Sequence, residues 1–348
     1  MEPIQLGALT VYPFGIFFAV LLVPFFCLAA WEMKKAGLKG ETASWFALLA
    51  LPLCFVLSRL GFCLLNIDMI LGYEDPGMIL RTGEGGFLLW GAIGGILLAA
   101  LWTGKITKQS GAKIADSAVI PMCLMIAAIR LLCGLMFEDM GLGCGLRKWF
   151  NPDETDFAYR ISVWPLEDWS FFERFPFARE NYYGDWCWAV FVPQAIWAGV
   201  TALLAGRPKA APGGKVARFV LLFSCGSIVL ESMLLGGEIV RLPWLAFVKA
   251  NQILCAVALL AVILVCVFRL PKGQRLKPAA AAIAQFGAAI GIIIALEFAA
   301  FEKKLSVIEW LPADACHLIM AAACVWIALA VRPVWKRAFS GPFKGEVG

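Results

Sequence analysis

Apolar residues run along this chain in long blocks, broken at short intervals by Gly, Pro and Lys. Nine blocks reach or approach the ~20 residues that an α-helix needs to cross a bilayer. They lie near 11–31, 45–66, 86–102, 114–137, 186–206, 216–236, 244–268, 278–301 and 314–335. Connectors such as Gly206-Arg207-Pro208 through Gly214, and Leu270-Pro271-Lys272-Gly273, mark the turns between them. The pattern predicts an all-α, polytopic helical membrane protein of about nine transmembrane helices.

Composition agrees with the pattern. Of 348 residues, 61% are hydrophobic and 16% charged, with a mean hydropathy of +0.80. A soluble globule carries about 25% charged residues, so this balance excludes one. The net charge of +5 is small and spread over short loops, which excludes a nucleic-acid partner and leaves the lipid bilayer. Ten of the 12 cysteines lie inside apolar runs and read as small buried hydrophobes; Cys144 and Cys187 stand in a polar segment as a candidate external disulfide. No removable signal peptide is evident ahead of the first apolar run. One histidine and membrane-buried thiols do not form a metal site, and no cofactor motif is present.

Lys and Arg alternate sides. One set of loops holds Lys34, Lys35, Lys39, Lys105, Lys108, Lys113, Arg207, Lys209, Lys215, Arg269, Lys272, Arg275 and Lys277, and the tail adds Arg332, Lys336, Arg337 and Lys344. The opposite loops hold Arg81, Arg241, and Lys303 with Lys304, while residues 138–185 are acidic and aromatic. Positive residues favour the cytoplasmic side, so the N-terminus is expected outside, the C-terminus in the cytoplasm and the 138–185 loop outside.

Ionisable groups within spans are costly and therefore candidates for function. Arg59, Asp116, Arg130, Glu231, Lys249 and Glu297 are of this kind. At ~1.5 Å per residue, Arg59 and Arg130 fall about 10 Å below the outer boundary. Glu231, Lys249 and Trp90 fall at a similar level, with Glu84 and Glu138 at the rim above. Such a set suits a lipid with an anionic headgroup, because guanidinium donors match phosphate oxygens. Four of these positions also have a plain structural reading, whereas two arginines at one depth are harder to dismiss. Lys249 at a helix end reads equally as a snorkelling side chain, Glu231 as half of an ion pair, Asp116 as a helix-start residue and Glu297 as interfacial.

The order of local motifs resembles the prolipoprotein diacylglyceryl transferase family. The resemblance lies in Leu57-Ser58-Arg59-Leu60-Gly61-Phe62, Gly83-Glu84-Gly85-Gly86-Phe87 through Ile93, Ala115-Asp116, Arg130 to Gly134 and Glu138-Asp139-Met140-Gly141. It continues in Pro193-Gln194, Gly226 to Glu231, and Asn251-Gln252-Ile253-Leu254. It implies transfer of a diacylglyceryl group from phosphatidylglycerol to the lipobox cysteine of a prolipoprotein in a bacterial-type plasma membrane, or a related lipid transfer. The alternative is a non-catalytic descendant that binds lipid or a signal segment. By resemblance Glu138 and Glu231 belong to the catalytic network, and Arg130, Arg59, Glu84, Gly141 and Gln252 to substrate binding; Arg241, in the short loop after Glu231, is a further catalytic candidate that could reach back toward the cluster. The chain departs from the family at Trp90, where the family has His, at Ser227, where it has Arg, and at Cys133, where it has Asn. His317 is a further candidate base. Residues 1–268 then form the transferase-like domain, and 269–348 add two helices whose Ala-rich faces favour close packing.

Overall fold

The computed structural model describes residues 4–6, 9–11, 13–67, 76–80, 86–136, 161–162, 178–180, 186–206, 210–233, 248–298, 311 and 313–339. Among them are nine long helices: α1 Pro13–Lys35, α2 Gly40–Leu65, α3 Leu89–Thr107, α4 Gly111–Met136, α5 Phe191–Gly206, α6 Gly214–Ser232, α7 Ala250–Arg269, α8 Leu276–Glu297 and α9 Ala313–Phe339. Seven of these nine, all but α5 and α6, are long and apolar enough to cross a membrane. The chain is a multi-pass helical membrane protein.

The two exceptions have physical reasons. The apolar run expected to span 186–206 is divided: Trp186–Ala189 forms a strand, and α5 starts only at Phe191. Alternating Trp, Cys, Trp and Ala fit a strand as well as a helix. The α6 helix carries Lys215, Arg218 and Glu231 within 19 residues, which lowers its apolar content. Short strands complete the description. β1 Ile4–Leu6 and β2 Leu9–Val11 form an antiparallel pair, with Gln5 opposite Thr10. β3 Ile161–Ser162, β4 Ala178–Glu180 and β5 Trp186–Ala189 form an antiparallel sheet in the order β3-β5-β4, with Arg179 opposite Cys187.

The chain divides into two compact units, 1–202 with 234–236, and 203–233 with 237–348. In the first, α2 packs along α3, and α4 packs against α1 and α3. The α2–α3 contact depends on Gly91 and Gly95, one helical turn apart on α3. A Cβ at Gly95 would lie 2.6 Å from the Cys54 Cα, and one at Gly91 would lie 2.6 Å from the Ser58 Cα. Small residues four apart let backbones approach closely in a membrane, where no hydrophobic force drives helices together. The approach allows the Cys54 thiol to reach the Ala92 carbonyl at 3.3 Å. We expect Gly95→Leu to separate α2 from α3 and to lower stability by about 1–3 kcal/mol. Thermal unfolding in detergent measures this; an unchanged melting temperature refutes the close-packing account.

In the second unit, α6, α7, α8 and α9 form an antiparallel group, with α9 packed on α6, α7 and α8. The small-residue faces expected to pack closely on the last two helices are packed only in part: Ala282, Ala289 and Ala323 are buried, whereas Ala280, Ala281, Ala284, Ala288, Gly291 and Ala322 are exposed. At one end of this group Trp335 donates from its indole to the Gly214 carbonyl at 3.1 Å, and the Arg218 guanidinium stacks 4.3 Å from the Trp335 ring. Away from these contacts the helices present exposed apolar side chains, among them Val20, Val23, Leu48, Leu64, Leu203, Phe268 and Leu318. An apolar outer surface is what lipid requires.

Candidate functional site

Each unit holds its own polar group among apolar helices. In the first unit the centre is Arg59, near the C-terminal end of α2 and only 4% exposed. Its Nε donates to the Ile79 carbonyl at 3.1 Å and its Nη1 to the Gly86 carbonyl at 3.1 Å. The guanidinium also faces the rings of Phe62 and Phe87, 5.6 and 5.9 Å away. Beside it, Ser58 and Leu88 are doubly joined: the Ser58 hydroxyl donates to the Leu88 carbonyl at 2.6 Å, and the Leu88 amide donates to the Ser58 carbonyl at 3.0 Å. Arg59 therefore holds the α2–α3 connection at two points, Ile79 and Gly86. Gly86 has φ +78°, and a Cβ there would meet the Arg59 Nη1 at 2.6 Å, so glycine is required on both counts. Trp90 is half-buried at the start of α3, and Arg130 is half-buried on α4. Asp116 is buried in the second turn of α4.

In the second unit, antiparallel topology brings together the C-terminal end of α6, the N-terminal end of α7 and the C-terminal end of α8. These ends carry Glu231, Lys249 and Glu297, which are 7%, 8% and 2% exposed. The Lys249 ammonium donates to the backbone carbonyl of Glu231 and interacts electrostatically with the Glu231 and Glu297 carboxylates. Lys249 is also the N-cap of α7, where Gln252 supplies the return half of a capping box: the Lys249 amide donates to Gln252 Oε1 at 3.1 Å. The same Gln252 donates from Nε2 to the Ile228 carbonyl at 3.2 Å and to Glu297 Oε1 at 2.6 Å. One amide thus ties three helices at a single point.

Sequence reasoning placed Glu231 and Gln252 in the site, and the structure brings these two into one network. It gave Lys249 a snorkelling alternative and Glu297 an interfacial one; both side chains are buried instead. The available signal was their shared level, since all three charges lie at helix ends expected on the same side. Arg59 and Arg130 belong to the other unit. His317 stands half-buried on α9 beside the buried Cys316. Glu84, Glu138, Gly141, Arg241 and Cys144 lie outside the described residues, as does the side chain of Cys187.

Apolar helices of membrane-spanning length, with buried cations and carboxylates near helix ends in each unit, define a multi-pass integral membrane protein. The family model for prolipoprotein diacylglyceryl transferase matches residues 2–268, and the chain belongs to that family. The phosphatidylglycerol–prolipoprotein diacylglyceryl transferase of Bacillus velezensis is 24% identical over 277 residues, covering 77% of this chain and 92% of the relative. That of Halalkalibacterium halodurans is 28% identical over 103 residues, covering 29% of this chain and 35% of the relative. That of Listeria innocua is 28% identical over 126 residues, covering 36% and 44%. The matched segment thus spans from about a third to nine-tenths of the relatives' length. Helices α8 and α9 lie beyond the family match.

Proposed function

We propose that this protein transfers a diacylglyceryl group from phosphatidylglycerol to the cysteine thiol of a prolipoprotein lipobox. The observation that carries the reading is the family match over residues 2–268, which includes every candidate site residue taken from the motifs. Membership in a family of transferases does not favour the non-catalytic alternative. The reading includes a bacterial-type plasma membrane, an external N-terminus, a cytoplasmic C-terminus and a site facing outward. It also assigns residues 1–268 to the transferase and 269–348 to an added helical pair.

The reaction sets the requirements. A thiol sulfur attacks the glyceryl carbon that bears the phosphate, a C–S bond forms, and the C–O bond to phosphate breaks. The thiol proton passes to a base, and glycerol phosphate leaves with the bonding electrons. A base must hold that proton and cations must stabilise the departing phosphate. Glu138, Glu231 and Arg241 are assigned to the catalytic network. Arg130, Arg59, Glu84, Gly141 and Gln252 are assigned to substrate binding. Trp90 and Ser227 supply neither the imidazole nor the guanidinium that the family has at those positions, so carboxylates are the proton acceptors proposed here.

Incubating purified protein with phosphatidylglycerol and a lipobox peptide, followed by mass spectrometry, tests the reading. Diacylglyceryl is expected on the peptide cysteine, with at least about tenfold less product from Arg130→Ala, since an Arg pairs with phosphate through two charge-assisted hydrogen bonds. Absence of product from well-folded wild-type protein overturns the transferase reading.

A further inference from the structure

Glu297 belongs to α8, outside the part of the chain that matches the family, yet its carboxylate ends inside the network of a residue that lies within it. Three observations bear on this. Glu297 is 2% exposed although it is the last residue of its helix, where an interfacial carboxylate would be expected in water. Its Oε1 accepts from Gln252 Nε2 at 2.6 Å. Gln252 in turn accepts the Lys249 amide and donates to the Ile228 carbonyl, one turn before Glu231. The side chain that sets the entry of α7, and with it the place of the Lys249 ammonium beside Glu231, is therefore held in position from α8.

We propose that Glu297 is a positioning residue of the transfer reaction, through which the added helical pair fixes Gln252, Lys249 and Glu231. The proposal rests on the transferase reading above. Glu297 itself acts through Gln252. Among the described residues, the groups that interact with its carboxylate are Gln252, Ser232 and Lys249, together with the Cys316 thiol on α9. A supporting group that is loose by ~1 Å can lower a rate by as much as ~100-fold without contacting substrate.

Three variants in purified protein test it. Glu297→Gln keeps the length and an acceptor oxygen for Gln252, so its kcat is expected within about threefold of wild type. Glu297→Asp withdraws the carboxylate by one methylene, and Glu297→Ala removes it. Both are expected to lower kcat at least about tenfold, with KM for phosphatidylglycerol changed less than about threefold. Combining Glu297→Ala with Gln252→Ala is expected to cost no more than the worse single change, because the two residues act as one unit. A merely structural role would lower the folded fraction and leave kcat per folded molecule unchanged. If Glu297→Ala does not fold, Glu297→Asp decides. Wild-type kcat in a folded Glu297→Asp protein overturns the proposal.

Product formation by the wild-type protein separates this proposal from the reading beneath it: no wild-type product overturns both, whereas wild-type product with undiminished kcat in folded Glu297→Asp overturns the positioning role of Glu297 alone.

Discussion

Replacing Lys249 by Met is expected to destabilise the second unit by about 3–5 kcal/mol, because it removes the cation that the Glu231 and Glu297 carboxylates share. Lys249, Glu231 and Glu297 are each at least nine-tenths buried, so water cannot take the place of the lost ammonium. The Glu231 carbonyl loses a donor in the same substitution. Methionine matches the aliphatic stem, so packing is kept and the charge is the main difference. A loss of that size corresponds to a fall of roughly 10 °C in melting temperature for a unit of this length. The triple variant Lys249→Met, Glu231→Gln, Glu297→Gln is expected to recover much of that loss, since a neutral set needs no buried counter-charge. Thermal scans in detergent measure both. Equal melting temperatures for wild type and Lys249→Met would show that the ammonium is dispensable to the carboxylates.

This expectation depends on a juxtaposition only partly legible in the sequence. The helices were legible because lipid imposes one strong signal: apolar runs of a fixed length, separated by Gly, Pro and Lys. The level of Glu231, Lys249 and Glu297 was legible too, since each stands a known number of residues from the end of its run. What a linear pattern cannot carry is which faces of α6, α7 and α8 meet. A lysine one residue before a helix is compatible with snorkelling and with burial, and only the Gln252 amide, bonded to Ile228 and Glu297, decides between them. The strand at Trp186–Ala189 was hidden for a different reason. Its residues are as apolar as those of the helix that follows, and pairing with Arg179 and Ile161 neighbours is a tertiary fact. The role of Glu297 was further obscured because the resemblance to the family ends before α8.

Arg59→Leu is expected to reduce transfer about a hundredfold while leaving α2 intact, because the guanidinium fastens the α2–α3 connection rather than the helix itself. The substitution leaves the Ile79 and Gly86 carbonyls without the donors they use here, at a cost of about 1–3 kcal/mol each if they stay buried. Ile79 and Gly86 are then no longer tied to α2 through this side chain. A second variant separates this route from direct contact between Arg59 and the lipid phosphate. Gly86→Ala keeps the guanidinium but sets a methyl group 2.6 Å from its Nη1 and strains a backbone at φ +78°. If Arg59 works through the connection, Gly86→Ala reproduces most of the loss, since it displaces the same connection by crowding the guanidinium and the Phe62 ring. Transfer assays on the three proteins, each compared at equal folded fraction, give the result. Full activity in Gly86→Ala together with loss in Arg59→Leu would instead assign the guanidinium to the headgroup, because displacing the connection would then have left the chemistry untouched.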